Sequence, residues 1–203
     1  MYVPKMFKVT NQEDIYAFIE ANSFATLVTM EKGKPIATHL PMELKKQGED
    51  YYLTGHLAYG NRQWKTFDGE VLAIFQGPDA YISSSWYEHE EVPTWNYQAV
   101  HVYGQAVILE KEELIEELSR MLKKYEGNRE NPVLWETLSP ELLEQELKGT
   151  VGFKIKISDI HAAYKLSQNR NQRDFQSIME RLRHEGNSKS AEIAKEMEKR
   201  VID

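Results

Sequence analysis

The spacing of apolar residues changes once along the chain, near Leu109, and this change constrains the fold most. Before it, short apolar runs separated by turn residues predict strands at 23–30, 35–44, 51–56, 70–76, 80–83 and 97–109. After it, apolar residues three and four apart predict helices at 112–125 and 139–147, then a strand at 149–157 extending toward 166. With a first helix at 11–22, where Thr10 and Glu13 resemble a capping box, the pattern predicts an α+β chain. Its antiparallel sheet or barrel would have six or seven strands.

Two terminal helices are predicted at 172–183 and 188–201, separated by Gly186 and Asn187. Residues 164–203 carry nine basic and seven acidic side chains, whereas the whole chain of 203 residues has a net charge of -7. The composition therefore predicts a barrel domain over 1–166 and a helical appendage over 167–203. The acidic body is a poor match for a nucleic-acid backbone.

Several chemistries are excluded by residues that the chain lacks. It has no cysteine, which removes disulfide scaffolds, thiolate zinc sites and cysteine nucleophiles. It has no apolar run long enough for a spanning helix and no apolar signal core, so we expect a soluble cytoplasmic protein without a membrane partner. His89-Glu90 begins like a zinc-protease motif, but Pro93 stands where the second histidine is needed. We predict no metal site, since no two histidines have a metal-ligand spacing within a helix. We predict no catalytic residue, since no acid–base pair, nucleophile or nucleophile-elbow motif is visible.

Polar and aromatic residues concentrate between Thr54 and Gly104. Three of the four tryptophans lie there, namely Trp64, Trp86 and Trp95, among amides, hydroxyls and one arginine. Flat aromatic walls with such groups are what a heteroaromatic ligand carrying a phosphate needs. The same aromatic residues are equally typical of the core of a β-rich domain, and both interpretations stand.

At these residues the chain resembles the PaiB-type FMN-binding regulators, which belong to the split β-barrel flavoproteins that include pyridoxamine phosphate oxidases. The matching segments follow one another along nearly the whole chain: 2–4, 38–41, 55–58, 61–64, 75–78, 80–83, 92–97, 99–101 and 165–170. Three departures are visible: Gly60-Asn61-Arg62 replaces the family's usual Ala-Asn-Pro, Ser84 replaces proline, and the second-phosphate arginines and lysines of the oxidases are missing.

The resemblance implies an antiparallel split β-barrel with peripheral and C-terminal helices, a homodimer, and FMN at the dimer interface. It implies phosphate contacts from Thr54, His56, Asn61, Arg62 and Gln63. It implies contacts to the isoalloxazine ring or its surroundings from Thr38, His39, Leu40, Trp95, Asn96, Gln98 and His101. It also implies cofactor contacts from Gln168 and Arg170, near the C-terminal end of the sequence. Arg62 is open to two interpretations, a phosphate contact or a solvated turn residue.

Three functions remain open from the sequence. The resemblance implies a transcriptional regulator of sporulation and degradative-enzyme synthesis. The alternatives are a flavin-dependent oxidoreductase and a haem-binding or haem-degrading split barrel. For direct DNA contact the terminal helices are the candidate element. They lack a helix-turn-helix pattern and their acidic residues are interleaved with the basic ones, so the sequence favours a solvated appendage packed on the dimer.

Overall fold

The computed structural model describes residues 1–200. The predicted end of the last helix at Val201 lies outside the described residues. The helices are α1 (Gln12–Ala21), α2 (Lys111–Glu126), α3 (Pro140–Gly149), α4 (Gln172–His184) and α5 (Ser188–Glu198). The strands are β1 (Phe24–Glu31), β2 (Lys34–Pro41), β3 (Glu43–Gln47), β4 (Asp50–Ala58), β5 (Glu70–Ile82), β6 (Thr94–Ile108) and β7 (Thr150–Lys165). Within residues 1–200 no helix has the length and apolar character needed to cross a bilayer.

The seven strands form one antiparallel sheet in the order β2-β1-β5-β6-β7-β4-β3. A tight hairpin joins β1 to β2, because Lys32 and Gly33 have positive φ values of 50° and 80° that suit a two-residue turn between paired residues Glu31 and Lys34. The register places Leu27 opposite Thr38 and Val28 opposite Ala37. This hairpin positions several of the predicted site residues.

The chain divides into two compact units, and β5, β6 and β7 contribute residues to both. The central unit comprises residues 23–74 and 102–159, and the terminal unit comprises 1–22, 75–101 and the chain from 160 onward. The terminal helices α4 and α5 therefore belong to the same unit as α1 and residues 75–101. The division predicted at 166/167 differs from these units and stays a prediction.

The core of the central unit is built from the inward faces of its strands and one face of α2. Ala25 and Leu27 of β1, with Leu53 of β4, are almost fully buried because alternate strand residues point to one side. One face of α2 contributes to a further apolar cluster. It consists of Leu109, Leu114 and Leu118, with Met121, Trp135 and Leu147 packed against them. Ser139 caps α3 by accepting from the Leu142 amide at 3.3 Å, which confirms the predicted start of that helix.

The core of the terminal unit is formed by strand ends and helices. Ile19 of α1, Ile178 and Leu182 of α4, and Ile193 and Met197 of α5 are all fully buried. Their spacing of three to four residues produces the apolar helix faces that the sequence predicts. Helix α5 is thus part of this core, with Ser190 also buried beneath it.

Three predicted details differ from the structure. The N-cap of α1 is Asn11, whose side chain accepts from the Glu13 and Asp14 amides at 2.8 and 3.2 Å, so the capping role of Thr10 is wrong. The predicted turn over 45–50 is largely strand β3, which pairs with β4. Strand β5 continues through Gly77-Pro78, where an end was predicted. The β1 ladder already ends at Ile74, so Pro78 costs that ladder no hydrogen bond.

Gly104 in β6 lies directly against the backbone of Lys156. A Cβ atom there would lie 2.1 Å from the backbone oxygen of Lys156, closer than any side chain permits. The strand is regular from Thr94 to Ile108. Glycine at this position therefore allows two backbone segments to approach.

Candidate functional site

The predicted cofactor residues fall into both units. The central unit holds Thr38, His39, Leu40, Thr54, His56, Asn61, Arg62 and Gln63, and the terminal unit holds Trp95, Asn96, Gln98, His101, Gln168 and Arg170. Each set is described within its own unit.

Thr38, Asn61 and Arg62 form one polar group in the central unit. Asn61 Nδ2 donates to Thr38 Oγ1 at 2.8 Å, which ties the segment after β4 to strand β2. Asn61 also caps the 3₁₀ helix Arg62–Thr66, accepting from the Gln63 amide at 3.2 Å. Arg62 is exposed and forms no ion pair with any residue between 1 and 200. The Thr38 hydroxyl and the Asn61 amide are therefore in contact, and the next residue in the chain, Arg62, carries an exposed guanidinium.

Gln63 is buried, with 3 % of its surface exposed, and its amide serves the protein backbone. Its Nε2 donates to the carbonyls of Leu27 and Ile36 at 3.1 and 3.3 Å. Its Oε1 is buried and accepts no hydrogen bond from the described part of the chain. The structure therefore shows Gln63 holding the β1–β2 hairpin, while direct cofactor contact by this residue stays a prediction.

His39 and Leu40 point to opposite sides of β2, as strand alternation requires. Leu40 is core, with 4 % of its surface exposed. His39 is exposed and stacks on Phe24, with ring centroids 6.5 Å apart. Only His39 of this pair offers a side chain to a ligand on the outer side of the hairpin.

Thr54 and His56 lie beneath α2, next to two carboxylates. They line a small cavity with Glu43 and Glu117, and Thr54 donates to the Glu43 carbonyl at 3.4 Å. Burial lowers the pKa of His56 below its usual value, and the Glu117 carboxylate partly opposes this shift. Both carboxylates are paired with cations, Glu43 with Lys45 and Lys124, and Glu117 with Lys45 and Arg120. The phosphate contacts of Thr54 and His56 stay a prediction.

In the terminal unit, Trp95 is the predicted residue most available to a ligand. Its side chain is 53 % exposed and meets Tyr81, itself 44 % exposed, edge to face at 5.8 Å. His101 is half-buried, and its pKa is lowered chiefly by burial, then by the chain's amino terminus and His161. Trp95 and Tyr81 thus present an aromatic surface on neighbouring strands.

The side chains of Asn96 and Gln98 form hydrogen bonds with residues in the C-terminal part of the chain. Asn96 Nδ2 donates to Ser167 Oγ at 2.9 Å and lies 3.6 Å from Met197 Sδ. Gln98 Nε2 donates to Glu196 Oε2 at 3.4 Å. Both side chains are almost fully buried, so these amides hold α5 and the turn after β7 in place. Their predicted contact with a flavin ring remains untested.

Gln168 and Arg170 also bond within the terminal unit. Gln168 closes its own turn, accepting from the Leu166 amide and donating to the Tyr164 carbonyl, both at 2.6 Å. Arg170 pairs with Glu91, and its guanidinium lies 4.8 Å from the ring centroid of Tyr87. A cofactor would have to compete with Glu91 for Arg170.

The sequence reasoning missed an exposed apolar surface on the β1–β2 hairpin. Phe24 and Met30 are 68 % and 51 % exposed on the outer side of β1. Val28 and Ala37 face each other between them in the register. We call Phe24, Val28, Met30, Ala37 and His39 the outer hairpin face. The alternation of residues 24–30 contains this signal, because both sides of the strand are apolar, which is typical of a strand covered on both faces.

No metal centre is visible within residues 1–200, where no three His, Asp or Glu side chains gather closely enough to hold an ion. The six histidines thus remain separate from any carboxylate cluster of that kind.

Comparison with known proteins gives the chain its family. The family described as "Putative FMN-binding domain" matches residues 1–159. The chain is 62 % identical over 203 residues to "Protease synthase and sporulation protein PAI 2" of Bacillus subtilis strain 168, covering 99 % of this chain and 98 % of that protein.

Solved structures agree on the fold. The flavocytochrome Anf3 from Azotobacter vinelandii matches with a TM-score of 0.65 and 18 % identity, over 86 % of this chain and 78 % of that chain. A FAD and heme binding protein from Mycobacterium smegmatis matches with a TM-score of 0.60 and 12 % identity, over 84 % and 78 %. At such identities the likeness shows the fold alone, and it confirms the predicted α+β split barrel. The chain therefore belongs to the FMN-binding-domain family and is a homologue of the sporulation protein PAI 2 of Bacillus subtilis.

Proposed function

We propose that this chain is an FMN-binding regulator of the PAI 2 type that acts as a cytoplasmic homodimer. Its support is the family match over residues 1–159 and 62 % identity along almost the full length of PAI 2. The name of that relative connects it with protease synthesis and sporulation. The observation in this chain that carries the proposal is the grouping of Thr38, Asn61 and Arg62.

These residues fit the phosphate of FMN. Arg62 is exposed and forms no ion pair within residues 1–200, so its guanidinium can give charge-assisted hydrogen bonds to phosphate oxygens. Asn61 is fixed by its bond to Thr38 at 2.8 Å and by its capping role, so the two side chains are already oriented. The donor set of amide, hydroxyl and guanidinium is the set that a phosphomonoester requires.

Gln63 supports this site through the backbone. By bonding to the carbonyls of Leu27 and Ile36, it holds the 3₁₀ helix that begins with Arg62 beneath the hairpin that carries Thr38. When bound, FMN supplies a ring that accepts a hydride or single electrons. The residues of the chain bind and orient it.

The homodimer is proposed from the outer hairpin face. Phe24 and Met30 expose more than half of their side-chain surface on one side of a strand, next to Val28 and Ala37. Exposed apolar side chains grouped on one side of a sheet are unfavourable in water and are typical of an interface. A second copy of the chain is the occupant that the family resemblance implies.

Direct DNA contact by the terminal helices receives little support from their charges. Arg173, Arg183, Lys189 and Lys199 each pair with a carboxylate at distances between 2.6 and 3.5 Å. Paired cations attract a phosphate backbone less than free ones. We therefore propose regulation by this chain with a weak, salt-sensitive DNA contact at most.

Complementation tests the regulatory part. In a Bacillus subtilis strain lacking PAI 2, we expect this chain to restore the parental levels of extracellular protease and spores. We expect an Arg62→Gln variant to restore them less well, if FMN occupancy matters for regulation. Folded protein that accumulates without changing either level would contradict the proposed role.

A further inference from the structure

A groove of about 660 Å³ opens between α1 and α5 in the terminal unit. On the α1 side, Asp14, Ala17 and Ala21 face it at a spacing of three to four residues. On the α5 side, Glu192 and Lys195 face it with the same spacing. Its volume is that of a pocket for a small organic molecule.

The base of the groove is aromatic and held rigidly. The rings of Phe18 and Tyr164 lie 5.2 Å apart at an interplanar angle of 42°. A Cβ atom on Gly77 would lie 2.7 Å from the Phe18 ring, so this ring rests directly on the β5 backbone. The two rings are almost fully buried, and the Arg200 guanidinium lies 5.0 Å from the Tyr164 ring centroid. The apolar surface that the groove exposes above them comes from the methyl groups of Ala17 and Ala21. An apolar group of a ligand could pack against these methyl groups.

The charged side chains of the groove include both signs. Glu196 is already engaged, since Lys199 bonds to its Oε1 at 2.6 Å and Gln98 bonds to its Oε2 at 3.4 Å. By contrast, Asp14, Glu192, Lys195 and Arg200 form no ion pair with any residue between 1 and 200. Two carboxylates, an ammonium and a guanidinium are therefore available to a ligand.

These observations limit the chemistry of the ligand. A polyanion would meet the carboxylates of Asp14 and Glu192, and a simple cation would meet Lys195 and Arg200. A molecule that carries both charges on one end and an apolar group on the other matches both pairs of charges and the methyl groups of Ala17 and Ala21. We propose that the groove binds a small zwitterionic amino acid with an apolar or aromatic side chain. Its ammonium faces Asp14 and Glu192, and its carboxylate faces Lys195 and Arg200.

Calorimetric titration of the full chain tests the proposal with three probes. L-Phenylalanine carries both charges, 3-phenylpropionate lacks the ammonium, and phenethylamine lacks the carboxylate. We expect L-phenylalanine to bind at least tenfold more tightly than either partial analogue. Equal affinity of the three probes, or no measurable binding of L-phenylalanine, would overturn the proposal.

Two variants and a matched control locate the site. Ala17→Leu fills the groove and should weaken L-phenylalanine binding at least tenfold, whereas Ala191→Leu, at an exposed position on α5 outside the lining, should leave it unchanged. Lys195→Gln removes the cation without adding volume and should weaken binding similarly, which keeps the test valid if Ala17→Leu fails to fold. Unchanged affinity in Lys195→Gln would overturn the proposal.

Competition with FMN separates this site from the proposed flavin site. We expect saturating FMN to leave the affinity for L-phenylalanine unchanged, because Thr38, Asn61 and Arg62 belong to the central unit. Displacement of L-phenylalanine by FMN would assign the groove to the flavin and overturn the amino-acid site. Failure of FMN to bind at all would contradict only the proposed flavin function.

Discussion

Gln63 donates its side-chain amide to the main-chain carbonyl of Leu27 over 3.1 Å, although the two residues are 36 positions apart. The same nitrogen also reaches the carbonyl of Ile36. One buried amide therefore joins both strands of the hairpin to the 3₁₀ helix at Arg62. This link fixes the side chains that we propose to hold a phosphate.

Replacing Gln63 should weaken the fold. Gln63→Met removes the two donated hydrogen bonds from a buried site, and we expect the free energy of unfolding to fall by about 1–2 kcal/mol. Gln63→Glu should be worse, because it buries a carboxylate against two carbonyl oxygens. Urea unfolding measures both, with Lys65→Gln at an exposed position nearby as the control. A Glu variant as stable as the parent would show that Gln63 does not hold the hairpin.

Gly104 should tolerate no side chain. In Gly104→Ala the new methyl group would lie 2.1 Å from the Lys156 carbonyl oxygen, so strands must separate. We expect a loss of about 3 kcal/mol or more, or failure to fold. Gly60→Ala is the matched control, since nothing lies within 4 Å of its Cβ position. Thermal unfolding that is equal for both variants would refute the close approach.

Acidification should destabilise the chain partly through His56. The pKa of His56 is lowered from 6.5 by burial, so between the two pKa values the folded chain binds fewer protons than the unfolded chain. The contribution of His56 to the free energy of unfolding is therefore fully present above about pH 6.5, and it decreases as the pH drops below that value. His56→Gln should flatten the dependence of unfolding free energy on pH between about 7 and 5. A parental slope in His56→Gln would contradict this role.

The outer hairpin face should hold two copies together. We expect Phe24→Asp to convert a dimer into a monomer, because it places a charge on an apolar interface. Val133→Asp, at an exposed apolar position off the hairpin, should remain dimeric. Light scattering after gel filtration measures both masses. A parent that is monomeric at high concentration would contradict the proposed dimer.

Local patterns in the sequence predict most of the elements correctly. Alternation and turn residues locate β1, β2 and β4, and helical spacing locates α2, α4 and α5. Strand β3 was missed because Glu43–Gln47 is mostly polar and has no alternating apolar signal. The sequence predicts two strands in place of β5, because Gly77-Pro78 is typical of a strand end. In the structure the pairing with β1 ends at Ile74, but β5 itself continues to Ile82.

The site residues were less predictable than the fold. The family resemblance marks the residues around Asn61 as cofactor contacts, but it assigns no difference between Arg62, which is exposed, and Gln63, which is buried. Asn96 donates a hydrogen bond to Ser167, which lies more than 70 residues further along the chain, and no local sequence pattern reveals such a pair. Hydrogen-bond partners of this kind become visible only in three dimensions.

The phosphate should contribute to flavin affinity through Arg62. We expect Arg62→Gln to weaken FMN binding about tenfold or more, which corresponds to about 1.4 kcal/mol. Riboflavin, which lacks the phosphate, should bind the variant and the parent equally. Lys65→Gln, which changes a neighbouring exposed cation, is the control and should leave FMN affinity near the parental value.

The central claim is that this chain binds FMN, and a fluorescence titration of FMN with the purified chain tests it most directly. The account predicts saturable quenching of flavin fluorescence at one FMN per chain, together with a shifted flavin absorbance spectrum. Flavin fluorescence and absorbance that stay unchanged at protein concentrations far above that of FMN would contradict it.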